Sequence, residues 1–245
     1  MFVGLYLFVR LNDGVASASW LSAEQRAAVA VDLENESKTQ VLQGFFDSFR
    51  DPYVWIFCFI YFCAMTGLYG ISFWLPTIVA EMGVNDPLQI GLLSALPYAI
   101  AGIGMVLIGR HADRQREYHW HTALIAAIGA IALGASALFS KQPPATMFAL
   151  IVATLGILAT PPLFWSLPTA YLRGAGAAAG IAFINSFGCL AGFASPYLVG
   201  WIKDLTGSTK GGMYVISGFG ALGALLTAAL RRSTRERRER SRPAH

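Results

Sequence analysis

Six stretches of this chain contain no Asp, Glu, Lys, Arg or His: Val54–Ala80, Leu88–Gly109, Thr122–Ser140, Ala145–Leu172, Gly174–Ile202 and Gly211–Leu230. A helix of about 20 apolar residues crosses the roughly 30 Å hydrocarbon core of a bilayer, and these runs are 19–29 residues long. Inside hydrocarbon every backbone N–H and C=O must be satisfied within its own segment or in a closed barrel. Barrel strands read as segments of about 10 residues with alternating polarity, so continuous apolar runs of this length call for helices. The expected fold is all-α, with six transmembrane helices between residues 54 and 230. Only 13% of the 245 residues are charged, about half the share in an average soluble domain, roughly 25%. That excludes soluble enzymes, nucleic-acid-binding modules and disulfide-rich secreted domains. Cys58, Cys63 and Cys189 all lie inside apolar runs and read as small hydrophobes, with nothing to suggest a disulfide or a metal site.

The remaining charges set an orientation. Counted across six alternating spans, one side holds 15 of the 18 Lys and Arg residues, including seven arginines between Arg231 and Arg242. The other side holds only Lys141, Lys203 and Lys210. Positive charge stays on the cytoplasmic side, so both termini are expected there. The net charge of +4 follows from this asymmetry and is no nucleic-acid footprint. The basic segment 231–245 reads as a cytoplasmic tail beside anionic lipid.

The start of the chain has its own pattern. Met1–Val9 is apolar, too short to span, and lacks the basic leader of a signal peptide. It is expected to be the stub of a preceding transmembrane helix, with residues 10–53 as a cytoplasmic loop. Ser22 and Gln25 have capping-box spacing, so a short amphipathic helix over Ala23–Glu36 should follow. Asp51-Pro52 marks a break before the first complete span. The loops between spans are too short to hold a domain, so function must lie within or between the helices.

Glycine and proline are abundant inside the spans, where they permit close helix contacts and kinks. In the fifth span Gly176, Gly180, Gly188, Gly192, Pro196 and Gly200 fall on a spacing of four. The stripe is either a packing seam or a face that slides against partners. Asn185 is seven residues before Gly192, nearly the same helical face, and could be presented to a cavity.

The segment Gly109-Arg110-His111-Ala112-Asp113-Arg114, expected on the internal loop after the second span, resembles the G-x-x-x-D-R signature of the major facilitator superfamily. The stretches Trp20–Arg26, Tyr69–Pro76, Phe164–Pro168, Ile184–Gly188 and Pro196–Gly207 resemble the anion:cation symporter branch, with its tartrate-, galactonate- and phthalate-type permeases. Members have twelve spans in two halves, so the resemblance implies the C-terminal six-helix half of such a transporter. It also implies proton-coupled symport of a small organic anion, no bound cofactor, and residence in a bacterial inner membrane. The signature here departs from the usual basic continuation with Gln115-Arg116-Glu117-Tyr118.

Candidate residues follow from depth and chemistry. Gly109 should let a neighbouring helix approach, while Arg110, Asp113 and Arg114 could latch helices through charge-assisted bonds; an ordinary solvated loop would carry the same charges. A substrate site belongs near the bilayer midplane between repeats. Tyr61, Tyr69, Trp165, Ser166 and Asn185 are the candidates there, offering hydrogen bonds and a flat aromatic wall. Asn185 stands out because an unsatisfied amide in hydrocarbon is costly, although an interhelical packing bond would satisfy it equally. Tyr61 could instead be a core or lipid-facing aromatic, and Trp74 is expected as an interfacial anchor.

No Asp, Glu, Lys, Arg or His lies within any run, whereas such groups usually carry proton coupling. The resemblance places them in an N-terminal half, the expected partner of this chain. His119 and His121 lack further ligands for a metal. An intramembrane serine protease would need a His beside a Ser at membrane depth, and all four histidines lie outside the runs. The open alternatives are a truncated, non-transporting membrane fragment and a half-transporter that works with a partner chain; a homodimer is disfavoured, because two copies would still lack the charges.

Overall fold

The computed structural model describes residues 22, 23, 25, 27, 49–172 and 175–240. Seven helices follow in order: α1 (Pro52–Glu81), α2 (Pro87–Gln115), α3 (Tyr118–Leu138), α4 (Pro143–Tyr171), α5 (Ala175–Cys189), α6 (Ala191–Thr206) and α7 (Lys210–Arg240). They supply six apolar spans, with α5 and α6 together making the fifth. The described residues bear out the all-α, six-span reading.

Local chemistry sets the helix starts. Asp51 accepts from Tyr53 N at 2.8 Å, Asp86 from Leu88 N at 3.3 Å and Glu117 from Trp120 N at 2.9 Å. These carboxylates satisfy first-turn N–H groups that have no partner within the helix. Pro52, Pro87 and Pro143 follow at first helical positions, where the missing N–H costs nothing and the fixed φ suits the helix. In the segment before α1, Ser22 N donates to Gln25 Oε1 at 3.0 Å and Gln25 N donates to Ser22 Oγ at 3.2 Å. That is the reciprocal pair of a capping box, and Ala23, Gln25 and Ala27 are helical. The remainder of the expected helix Ala23–Glu36, the stub Met1–Val9 and Arg173 fall outside the described residues.

Several boundaries differ from the charge-free runs, for one reason: a helix continues past the membrane wherever its backbone bonds can be made. The internal loop expected after the second span shrinks to Arg116-Glu117, because α2 runs on through Gln115 and α3 begins at Tyr118. Arg116 takes a left-handed backbone at φ 50° and its N–H closes α2. His119 and His121 therefore lie in the first turn of α3 rather than on a loop. Lys203, expected in the last loop, is in α6, and the basic tail continues α7 as helix to Arg240.

The fifth span breaks at Leu190, whose N–H bonds the Phe187 carbonyl at 3.2 Å, one residue short of helical spacing. Two glycines and Pro196 flank the break, the usual causes of a bend.

α1 sits at the centre, touching α4, α5, α6 and α7, while α4 packs on α1, α2 and α3. One apolar cluster forms around Phe57, Tyr61, Phe164 and Ile184, toward the Asp51 end of α1. A second forms around Ile71, Leu75, Leu133, Leu150 and Val199, toward its Glu81 end. Burial is uneven: 61% of the most apolar window of α1 is buried, but only 17% for α2 and 22% for the fifth span. α3 and α4 cross backbone to backbone, since a Cβ on Gly156 would lie 2.5 Å from Gly129 Cα. Three side chains tie helices across the bundle: Ser195 Oγ donates to Thr66 O and Ser217 Oγ to Ala130 O, each at 2.7 Å, and Trp74 Nε1 to Pro196 O at 3.3 Å.

Candidate functional site

The glycine stripe of the fifth span and the aromatic residues of α1 meet in register. A Cβ at Gly188 would lie 2.2 Å from the Tyr61 ring, one at Gly192 3.4 Å from Tyr69, and one at Gly200 3.4 Å from Trp74. Pro196, between the last two, gives its carbonyl to Trp74. Gly180 faces Leu172, with 2.8 Å to a Cβ. The two helices run the same way, and Gly188, Gly192 and Gly200 each seat an aromatic side chain of α1, most tightly at Gly188. Trp74, expected at the interface, is thereby drawn into the bundle, and the Lys203 ammonium lies 5.3 Å from its ring centroid.

Two of the five candidate binding residues, Tyr61 and Trp165, are in direct contact. Tyr61 is 7% exposed, stacked on Phe164 at 5.1 Å and edge-on to Trp165 at 4.9 Å. Ser166 follows Trp165 on α4 and is likewise half-buried. Tyr69, two turns along α1, packs at the edge of the same cluster. Aromatic bodies with polar tips can hold a small polar molecule against a flat wall.

Asn185 lies elsewhere. Ile184 and Gly188 are buried against α1, whereas Asn185 is exposed. Gly188 and Gly192 both meet α1 across the break at Leu190, so the stripe keeps its facing and Asn185 lies to one side of it. Among the described residues Asn185 has no hydrogen-bond partner, and it stands on a side of α5 that the bundle does not cover.

The signature segment is helical, correcting the expectation of a loop. Gly109, Arg110, Asp113 and Arg114 occupy the last turns of α2. Arg110, Asp113 and Arg114 are exposed, and the Tyr118 hydroxyl donates to Asp113 Oδ1 at 2.9 Å. A Cβ at Gly109 would meet nothing within 4 Å, so the close approach expected there is not made among the described residues. The departure after Arg114 acquires a structural meaning: Arg116 turns the chain and Tyr118 returns to hold Asp113.

Other contacts were not read from sequence. Asp51, besides capping α1, accepts from the Tyr171 hydroxyl at 2.9 Å, joining the starts and ends of α1 and α4. Glu81, at the opposite end of the bundle, pairs with Lys203 at 3.5 Å and accepts from Thr209 Oγ1 at 2.7 Å. These partners are about 120 residues apart, and no local pattern announces them. Trp55, Phe59, Phe62, Phe183 and Phe187 form an aromatic seam between α1 and α5. Their abundance in the two spans was visible, but not their pairing.

Comparison with known proteins agrees with this architecture. A family model described as Major Facilitator Superfamily matches residues 1–196. A protein of Agrobacterium vitis named "Putative tartrate transporter" is 37% identical over 240 residues, 96% of this chain and 54% of its own length. The Pseudomonas putida protein named "Putative metabolite transport protein NicT" is 36% identical over 93% of this chain and 53% of its own. Among solved structures, the Escherichia coli fucose:proton symporter FucP superposes with a TM-score of 0.69 at 15% identity, covering 93% of this chain and 63% of that one.

The fold is thus a multi-pass helical membrane bundle of the major facilitator type. The chain belongs to the Major Facilitator Superfamily, a family of transporters rather than enzymes. It spans about half the length of the curated relatives it matches.

Proposed function

We propose that this chain is the second half of a proton-coupled symporter for small hydroxylated organic anions such as tartrate or sugar acids. It would reside in a bacterial inner membrane with both termini in the cytoplasm. The substrate class is supported by the 37% identity to the tartrate-named relative, which extends over 96% of this chain. In this reading Tyr61, Trp165 and Ser166 form one wall of the central site, with Tyr69 beside them. Asn185 contributes from the edge, where the first half of the transporter would meet the uncovered faces of α2 and α5. Arg110, Asp113 and Arg114 would engage that half at the cytoplasmic end.

The observation that carries the division of labour is the absence of Asp, Glu, Lys, Arg and His from the six runs. With 17% of its apolar window buried, the second span has a broad face free to meet lipid or a partner half. The charges that coupling requires are absent from these six runs, and the other half would supply them. Cofactors play no part; the proton gradient supplies the work.

Uptake into proteoliposomes tests this. The 245-residue chain alone is expected to take up no radiolabelled tartrate. A chimaera joining it to the first half of the Agrobacterium vitis relative is expected to show uptake that a protonophore abolishes. Asn185→Ala in the chimaera should lower apparent affinity and leave membrane insertion unchanged. Robust uptake by the chain alone would overturn the division of labour. An inserted, folded chimaera that carries no hydroxy acid would overturn the substrate class.

A further inference from the structure

The turn between α2 and α3 brings together two histidines from different helices. His111, near the end of α2, and His121, in the first turn of α3, stand with ring centroids 5.2 Å apart and planes inclined by 59°. His111 is exposed and His121 half-buried. From sequence His121 had no companion ligand, because only the tight turn at Arg116-Glu117 returns α3 beside His111. The two helices touch little along their length, so the pair sits where they are joined.

Hydrogen bonding fixes what His121 can offer. Its Nδ1 sits against the Glu117 carbonyl, and a carbonyl oxygen only accepts, so the neutral ring carries its proton on Nδ1. Nε2 is left with a free lone pair. A carbonyl behind one ring nitrogen is the usual support of a metal-binding histidine, since it fixes the tautomer and aims the ring. The spacing suits a shared ion as well. An ion roughly 2.0–2.1 Å from an imidazole nitrogen lies about 3.2 Å from the ring centroid, so two rings at a tetrahedral angle have centroids about 5.2 Å apart. Both nearby carboxylates are committed: Glu117 accepts from Trp120 N and Asp113 from the Tyr118 hydroxyl, each at 2.9 Å. Arg110, Arg114 and Arg116 are exposed around the turn. Magnesium and calcium, which need oxygen cages, are therefore poorly served, whereas a pair of imidazoles suits zinc, nickel or copper. Among the described residues no group of three metal-ligating side chains forms, so water would complete the coordination.

We propose that His111 and His121 bind one divalent transition-metal ion of the zinc, nickel and copper class, which clips the end of α2 to the start of α3. The site lies beyond the charge-free runs and shares no residue with the Tyr61–Trp165 wall. Metal binding there requires no transport.

The test is titration of the untagged full chain in detergent micelles with copper(II), read by electron paramagnetic resonance. Cys189→Ser is carried throughout, so that the exposed thiol does not compete for the ion. One copper per chain is expected, with nitrogen couplings from two imidazoles. Zinc should displace it, and magnesium should not. His111→Ala and His121→Ala should each weaken binding by at least about tenfold and leave the couplings of one imidazole. His119→Ala should keep the two-imidazole signal. Zinc should also raise the thermal unfolding midpoint of the chain but not that of the His111→Ala variant. A two-imidazole signal that persists in His111→Ala, or vanishes in His119→Ala, would overturn the proposal. So would displacement by magnesium as readily as by zinc, or a chain that binds no copper at one equivalent. Neither readout involves uptake, so this site and the proposed transport function stand or fall separately.

Discussion

Single residues show how closely the bundle is fitted. Gly188 and Gly192 lie one turn apart, yet they differ in what they tolerate. A methyl at Gly188 would lie 2.2 Å from the Tyr61 ring, whereas at Gly192 it would make an ordinary 3.4 Å contact with Tyr69. Tyr61 is itself held between Phe164 and Trp165 and has nowhere to retreat. Overpacking of this kind typically costs about 1–3 kcal/mol. Gly188→Ala is therefore expected to lower the thermal unfolding midpoint of the detergent-solubilised chain, while Gly192→Ala leaves it nearly unchanged. Equal effects would mean that the ring moves freely. The polar aromatics were legible from sequence, because a tyrosine or tryptophan in an uncharged run stands out. The glycines that seat them were legible only as a stripe. Asn185, expected to meet a cavity on nearly the same side as Gly192, is exposed to one side of the stripe, and spacing alone does not say what covers that side.

At the scale of elements, helix starts followed local rules and helix crossings did not. Asp51-Pro52 was readable as a start because cap and proline act within one turn, and Asp86-Pro87 repeats the pattern. The signature segment was assigned to a loop because its charges end the apolar run, yet backbone bonding carries α2 to Gln115. The α3–α4 crossing depends on Gly129 and Gly156, each unremarkable alone. With a Cβ on Gly156 only 2.5 Å from Gly129 Cα, backbone would have to move to admit it. Gly156→Ala should thus destabilise the chain by roughly 1–3 kcal/mol, whereas Gly102→Ala on α2, with open space around it, should be neutral. Comparison of melting curves in one detergent checks this. If the two variants melt together, the crossing is not close-packed.

For the whole molecule, the bundle has a well-packed centre and two sparsely covered flanks. The second span and the broken fifth carry their apolar side chains outward, including Leu92, Ile103 and Phe193 at 64%, 68% and 77% exposure. The charge count bears on orientation: with 15 of 18 basic residues on one side, the proposed topology has the Asp51 end in the cytoplasm. In intact cells carrying a cysteine-free version of the chain, Gly83→Cys should react with an impermeant thiol reagent, and Arg116→Cys only after the membrane is opened. The reverse pattern would invert the assignment. The number of spans, their helical nature and the segregation of charge were determined by sequence alone. The reason is that a bilayer acts as a solvent, and the transfer cost of each segment depends on its own composition. Register and facing were decided only by the tertiary structure. Tyr61 on Gly188, Asp51 on Tyr171 and Glu81 on Lys203 all join residues from separate helices. Their relative positions depend on how separate helices cross, as at Gly129 and Gly156, and no local pattern encodes where such surfaces meet.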